Sequence, residues 1–403
     1  MKNRTIILFA SVLVLALSCN RIVTYKTDLP DRFTNSGAPS ITGIFDIQDG
    51  AMENPLESGS LAQIIHIKGN NLAHPVKVSF NGIEADLSQC YFENKDGYVV
   101  IPRVLPSTVD NKMVYVTPEG TVSYDFEVGI PELVVTGLRN EYALAGSTVQ
   151  LLGNYFDLFG FGVEGSDASV SLGETPLELL SVAEDALEFV IPEGTPDNSL
   201  ITVSWTDVKL GPQSKKIPYR NTSYLFFKNF DTTGFWDANL AATILTDGTA
   251  DGDPASLGYR FFRFKGSYGA WTWNSLGMGD GWYYTTPEDE KTPEDETDWK
   301  QDYLFKFELW TNPSLPIPAY NVQDGPRGLF VQLNLAANVA LDFEGAAVNT
   351  GGEWITYAFP LTSVATTMPK NGDYWGFAMT VQPPVDWTLD FAIANIRMEP
   401  ANY

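Results

Sequence analysis

The chain reads as an all-β protein: two small antiparallel sandwiches followed by a larger two-sheet domain. Three observations carry this reading. Glycine (34) and proline (25) are plentiful, as many short strands joined by turns require. Apolar and polar residues alternate in run after run, and over residues 220–403 no convincing helical period competes with them. Four sequence landmarks recur in the same order in two successive stretches, so part of the chain is duplicated. A length of 403 residues fits two to three domains at about 150 residues each. With 44% hydrophobic and 19% charged residues there is material for packed cores.

The elements follow in order. Lys2 and Arg4 precede a nearly unbroken apolar run, Ile6 to Leu17, that ends at Ser18-Cys19. The run is too short for a permanent bilayer span and reads as a secretory signal, residues 1–18. A cysteine directly after a small residue at that point resembles a bacterial lipobox. The resemblance implies cleavage before Cys19 and lipidation of its thiol and new amine, hence a lipid anchor in the outer membrane. Residues 19–37 are polar and form a tether. With Cys19 lipidated, Cys90 has no intrachain disulfide partner, and it is expected to be a buried, inert thiol.

The duplicated region comes next. The first copy, residues 38–129, passes through Pro39-Ser40-Ile41-Thr42-Gly43-Ile44, Ile65-His66-Ile67-Lys68-Gly69-Asn70, Tyr98-Val99-Val100-Ile101-Pro102 and Lys112-Met113-Val114-Tyr115-Val116. The second, residues 130–219, repeats these as Pro131-Glu132-Leu133-Val134-Val135-Thr136-Gly137, Val149-Gln150-Leu151-Leu152-Gly153-Asn154, Leu187-Glu188-Phe189-Val190-Ile191-Pro192 and Leu200-Ile201-Thr202-Val203-Ser204. Each copy predicts a small sandwich, with Gly-Asn at a bulge or tight turn and proline ending a strand. Both resemble the IPT/TIG immunoglobulin-like fold.

Residues 220–403 change character. Nine of the ten tryptophans lie there, and its alternating runs predict a jelly-roll β-sandwich. The phrases Gly352-Glu353-Trp354-Ile355-Thr356-Tyr357-Ala358-Phe359-Pro360-Leu361 and Asp390-Phe391-Ala392-Ile393-Ala394-Asn395-Ile396-Arg397 resemble the last strands of carbohydrate-binding jelly rolls. With Tyr224-Leu225-Phe226-Phe227-Lys228-Asn229-Phe230-Asp231 and the preceding domain order, the whole resembles the B-type surface glycan-binding proteins of Bacteroidota polysaccharide utilisation loci. That resemblance implies a non-catalytic, cell-surface lipoprotein. Its partner would be a polysaccharide, with an outer-membrane glycan importer as a further one. It also suggests a β-glucan, xyloglucan or β-mannan as ligand.

The composition narrows the chemistry. Fifty acidic against 25 basic residues give a net charge of −25, so nucleic acid is disfavoured as a partner and a neutral glycan is favoured. Two histidines leave little for imidazole or metal chemistry. Sugar rings stack on aromatic faces, and rigid exposed aromatics supply that platform. The candidates are Trp271 and Trp273, two apart and so on one face if they occupy a strand. Trp282 and Tyr283 lie in a Gly-rich turn, Trp236 follows Thr232-Thr233-Gly234, and Trp310 opens a Pro-rich loop. Trp354, Trp375 and Trp387 are read as core. The acidic run 286–298 is either a solvated loop or a lid anchored by Trp299. No cofactor is expected; the one candidate is a structural Ca²⁺ on Asp247, Asp251 and Asp253, whose spacing is not that of an EF-hand. Among fifty acidic residues a carboxylate pair arises by chance. A cell-surface glycoside hydrolase or lyase, or an adhesin, therefore stands as the alternative to a binding protein.

Overall fold

The structure is a computed structural model that describes residues 32–225, 244–278, 302–322, 327–333, 339–364 and 377–403. Among the described residues nearly all regular elements are strands, as the sequence predicts. The chain divides into two compact units between Pro131 and Glu132. Among the described residues no helix is long and apolar enough to cross a membrane.

The first unit contains β1 (Ser40–Asp46), β2 (Ser58–Ser60), β3 (Ile64–Asn70), β4 (Lys77–Phe80), β5 (Ile83–Glu84), β6 (Tyr91–Phe92), β7 (Asp96–Val100), β8 (Lys112–Thr117), β9 (Gly120–Asp125) and β10 (Glu127–Gly129). They form sheets β1-β3-β7-β6 and β5-β4-β8-β9, with a short parallel pair β10-β2. Period-two alternation sends Ile65, Ile67, Val99, Met113 and Tyr115 into the core between the sheets. Cys90 is half-buried rather than buried; its Sγ donates to the Asp86 carbonyl, and desolvation raises its pKa, which keeps it inert.

The second unit opens with β11 (Val134–Leu138), β12 (Thr148–Asn154), β13 (Ser169–Leu172), β14 (Thr175–Pro176), β15 (Leu179–Val182), β16 (Ala186–Val190), β17 (Ser199–Asp207) and β18 (Gly211–Tyr219). Its sheets, β11-β12-β16-β15 and β14-β13-β17-β18, repeat the plan of the first sandwich. The duplication reaches single residues. The β1–β3 pairing is bulged between Ile41 and Gly43, and the β11–β12 pairing between Val135 and Gly137. Gly69 and Gly153 face these bulges, and a Cβ at either would overlap the carbonyl oxygen of Ser40 or Val134. The Gly of Gly-Asn therefore serves close backbone approach. A positive φ falls two residues after each of these glycines, on Asn71 (60°) and Tyr155 (71°). Gly153→Ala should cost about 1–3 kcal/mol, because the added methyl meets backbone and the Phe156 ring rather than a movable side-chain tip. Urea unfolding of variant against parent checks this.

The rest of the second unit contains β19 (Leu245–Thr246), β20 (Phe261–Tyr268), β21 (Asn274–Met278), β22 (Tyr303–Thr311), β23 (Gly328–Leu333), β24 (Val339–Ala340), β25 (Ile355–Pro360), β26 (Phe377–Gln382) and β27 (Trp387–Pro400). Sheets β19-β20-β27-β22-β25 and β21-β26-β23-β24 are joined by a core that includes Phe264, Phe305, Phe307, Leu329, Val331, Met379, Val381, Phe391 and Ile393. The 14-residue strand β27 is central to the five-stranded sheet, and nearly all of it is buried.

This domain is locked to the preceding sandwich. Glu141, between β11 and β12, accepts from Lys306 Nζ (2.7 Å) and from Arg397 (2.5 Å). Arg397 also makes two bonds to Glu308 (3.0 and 3.1 Å), and Lys306 pairs with Glu399 at 2.6 Å. The Tyr142 ring lies under the Arg397 guanidinium, and its hydroxyl donates to the Asn221 carbonyl. Arg220, at the crossing between the domains, bonds Asp197 and the Tyr142 and Leu257 carbonyls. A satellite apolar cluster of Tyr142, Leu257, Phe261, Trp310 and Trp354 covers the joint.

Candidate glycan-binding face

The candidate site is the turn where the chain leaves β20 of one sheet for β21 of the other. The shared face expected of Trp271 and Trp273 was conditional on their occupying a strand. The structure makes residues 269–273 a turn and starts β21 at Asn274. The reason is local: Thr272 N and Oγ1 both donate to the Gly269 carbonyl, closing a tight loop. Trp271 then takes a left-handed φ of 64°. Such a backbone is costly for a bulky side chain, on the order of 1 kcal/mol or more, and is found where surrounding contacts impose it.

Those contacts come from the neighbouring turn between β26 and β27. The Trp271 N–H donates to the Pro383 carbonyl (2.9 Å), Gln382 Nε2 donates to the Trp271 carbonyl (3.4 Å), and the Ala270 N–H donates to Asp386 (2.7 Å). Asn274 Nδ2 reaches back to Val381. Two turns that connect the same pair of sheets thus brace each other, which gives a ligand platform a rigid base.

Both rings face solvent. Trp271 is 55% and Trp273 54% exposed, and they are the exposed tryptophans among the described residues. Trp273 leans edge-on against the buried Phe330 of β23, with ring centres 5.2 Å apart. The Arg327 guanidinium lies 3.6 Å from the Trp271 ring centre. Arg327 covers one face of that indole in a cation–π contact. Nothing in the sequence pointed to it, because the contact joins two loops distant along the chain. Ser275 and the buried Thr380, register partners on β21 and β26, are hydrogen-bonded to each other at 2.9 Å.

The other candidates divide. Trp236, Trp282 and Tyr283 lie outside the described residues, as do Trp299, Trp375, the acidic run 286–298 and Cys19. Trp310 corrects the sequence reading. It is 8% exposed, donates from Nε1 to the Gly352 carbonyl (2.8 Å) and packs in the joint cluster, with Arg263 over its ring. The Pro-rich loop after it carries no open indole face because β22 ends inside the joint. Trp354 and Trp387 are core, as expected. Of the suggested Ca²⁺ carboxylates, Asp253 pairs with Arg263 (2.8 Å) and Asp247 caps Thr249. Among the described residues no three acidic, His or Cys side chains converge as a metal site.

A second aromatic set crosses the first sandwich. Phe45, His66, Tyr98 and Tyr91 are register partners across β1, β3, β7 and β6. The His66 and Tyr98 rings stack on each other at 4.4 Å, which covers one face of each and makes this row a cross-strand ladder.

Residues 219–400 match the family model described as the surface glycan-binding protein B xyloglucan binding domain. This C-terminal domain belongs to the surface glycan-binding protein B family. The fold of the whole chain is similar to that of surface glycan-binding protein PbSGBP-B from Prevotella bryantii, with 21% identity, a TM-score of 0.50 and coverage of 92% of this chain and 100% of that one. SGBP-B from a complex xyloglucan utilization locus in Bacteroides uniformis aligns at 17% identity and a TM-score of 0.42, over 90% of this chain and 99% of that one. A structure described as containing a xylogluco-oligosaccharide aligns at 16% identity and a TM-score of 0.44, over 91% of this chain and 80% of that one. No curated protein matches the chain. The braced tryptophan turn lies inside the family domain, and the family is one of cell-surface, carbohydrate-binding proteins.

Proposed function

We propose that this protein captures a neutral polysaccharide at the cell surface without cleaving it, and that xyloglucan or a related β-glucan is the ligand. One observation carries the reading: two half-exposed indoles sit on a hydrogen-bonded, strained turn of a domain from a glycan-binding family. Stability alone gives no reason to hold a bulky residue in a left-handed turn with its ring in water, whereas a sugar-stacking platform does. The family description favours xyloglucan within the neutral class. The excess of acidic residues disfavours polyanionic glycans.

Gels containing xyloglucan, mixed-linkage glucan or galactomannan test the reading. Retardation in xyloglucan without new reducing ends is expected. Release of reducing ends would make the protein an enzyme, and neither effect would favour an adhesin. The apolar run ending at Ser18-Cys19 supports lipid anchoring in the outer membrane, with the two sandwiches as a spacer and a glycan importer as neighbour. Cys19→Ala is expected to move the protein from the membrane to the soluble fraction, and unchanged fractionation would refute the anchor.

A further inference from the structure

We propose a second carbohydrate subsite in the cleft between the second sandwich and the C-terminal domain. The proposal rests on the glycan-binding reading above but concerns a different place. The cleft measures about 710 Å³, ample for a short run of sugar residues. The charge cluster of Glu141, Lys306 and Arg397 fixes its two walls relative to each other, so it is preformed.

Its polar lining is a string of hydrogen-bonded planar groups that crosses from one domain to the other. Glu188 accepts from Gln150 Nε2 (2.8 Å), Gln150 Oε1 accepts from Arg139 (3.5 Å), and Arg139 pairs with Glu353 of the other domain (3.3 Å). The Gln150 and Ser181 bonds lower the Glu188 pKa and keep it ionised. Arg139 Nε–H is buried and has no hydrogen-bond partner. Trp354 and Leu257 supply an apolar floor, and the Trp354 N–H is already given to the Ala255 carbonyl.

The chemistry selects the ligand. One guanidinium between two carboxylates repels an anion. The Arg139 guanidinium, whose side chain is 39% exposed, and the remaining carboxylate lone pairs suit a group that both accepts and donates. A sugar hydroxyl does both. The cleft lies beside Phe261, whose ring meets Trp354 at 5.0 Å, whereas the tryptophan turn follows the other end of β20. The two places are therefore separated by the length of that strand, about 25 Å. One long polysaccharide can engage both, so the second contact acts at high effective concentration.

The test uses the full mature chain, titrated with xyloglucan-derived oligosaccharides. The readout is the NMR cross-peak of Arg139 Nε–H, assigned from its loss in Arg139→Lys. The peak should shift in the parent and in the Trp271→Ala/Trp273→Ala protein. It should not shift in Thr148→Trp, which places a ring across the cleft mouth at an exposed strand position. Thr148→Trp should also weaken binding of polymeric xyloglucan about tenfold, with an unchanged thermal midpoint. A parent that binds xyloglucan with no shift at Arg139 overturns the subsite alone, as does a shift that disappears with the two tryptophans. A parent that binds no glycan overturns both this subsite and the proposed function.

Discussion

Trp273→Ala is expected to remove measurable retention of the protein by xyloglucan gels while leaving it folded. Stacking of a ring ligand on an indole contributes about 1–3 kcal/mol, which corresponds to about 5- to 150-fold in affinity. Polysaccharide contacts that are weak to begin with do not survive such a loss. Because Trp273 is half-exposed and touches Phe330 only by its edge, truncation should cost far less stability than the roughly 3–5 kcal/mol of a buried tryptophan. Trp271→Ala should act in the same direction and also release the Arg327 guanidinium. Trp310→Ala is the control with the opposite signature: its buried ring holds the joint, so the thermal midpoint should fall while the folded fraction keeps its affinity. Calorimetric titration and a thermal melt on each variant separate the two behaviours. Unchanged affinity in both Trp271→Ala and Trp273→Ala would sink the platform.

The largest expected loss of stability comes from Arg397→Met. Arg397 is fully buried between Glu308, Glu141 and Glu399, and its removal leaves three carboxylates facing the single cation of Lys306. Breaking a buried pair in this way costs about 3–5 kcal/mol, which lowers the melting temperature of a unit this size by about 10 °C. Adding Glu308→Gln should return part of that loss, because one uncompensated charge is gone. If Arg397→Met melts with the parent, the cluster does not hold the joint.

The same cluster sets a pH dependence. Burial pushes the Glu308 carboxyl up to about 7, with Arg397 opposing and Glu141 reinforcing the shift. The folded protein then holds this proton more tightly than the unfolded chain does. Its contribution, about 3 kcal/mol at full extent, is complete below pH ~4.5 and is lost as pH rises through 7. Glu399 is shifted the other way against burial, by Arg397 and Lys306, so its contribution is present above the ordinary carboxylate range and lost in acid. Urea unfolding at pH 5, 6, 7 and 8 should show Glu308→Gln losing the parent's decline across that interval. Parallel curves for the two proteins would exclude Glu308 as the group that titrates.

The sequence by itself determined what depends on residues close together along the chain. Alternation along β3, β7, β12 and β16 marked which side chains enter the cores. The paired glycines Gly69 and Gly153 marked where backbone must approach backbone, and the shift in tryptophan content marked the domain that belongs to the family. The tertiary structure alone decided which tryptophans face water. Trp271 and Trp310 both stand beside Thr and Asn or Gly in sequence. The first is lifted out by a turn braced on Pro383 and Asp386, and the second is buried by Gly352 and Arg263. It also decided the joint: Glu141 meets Lys306 across 165 residues and Arg397 across 256. Exposure and charge pairing depend on whichever strand or turn arrives from elsewhere, and no local periodicity encodes that arrival.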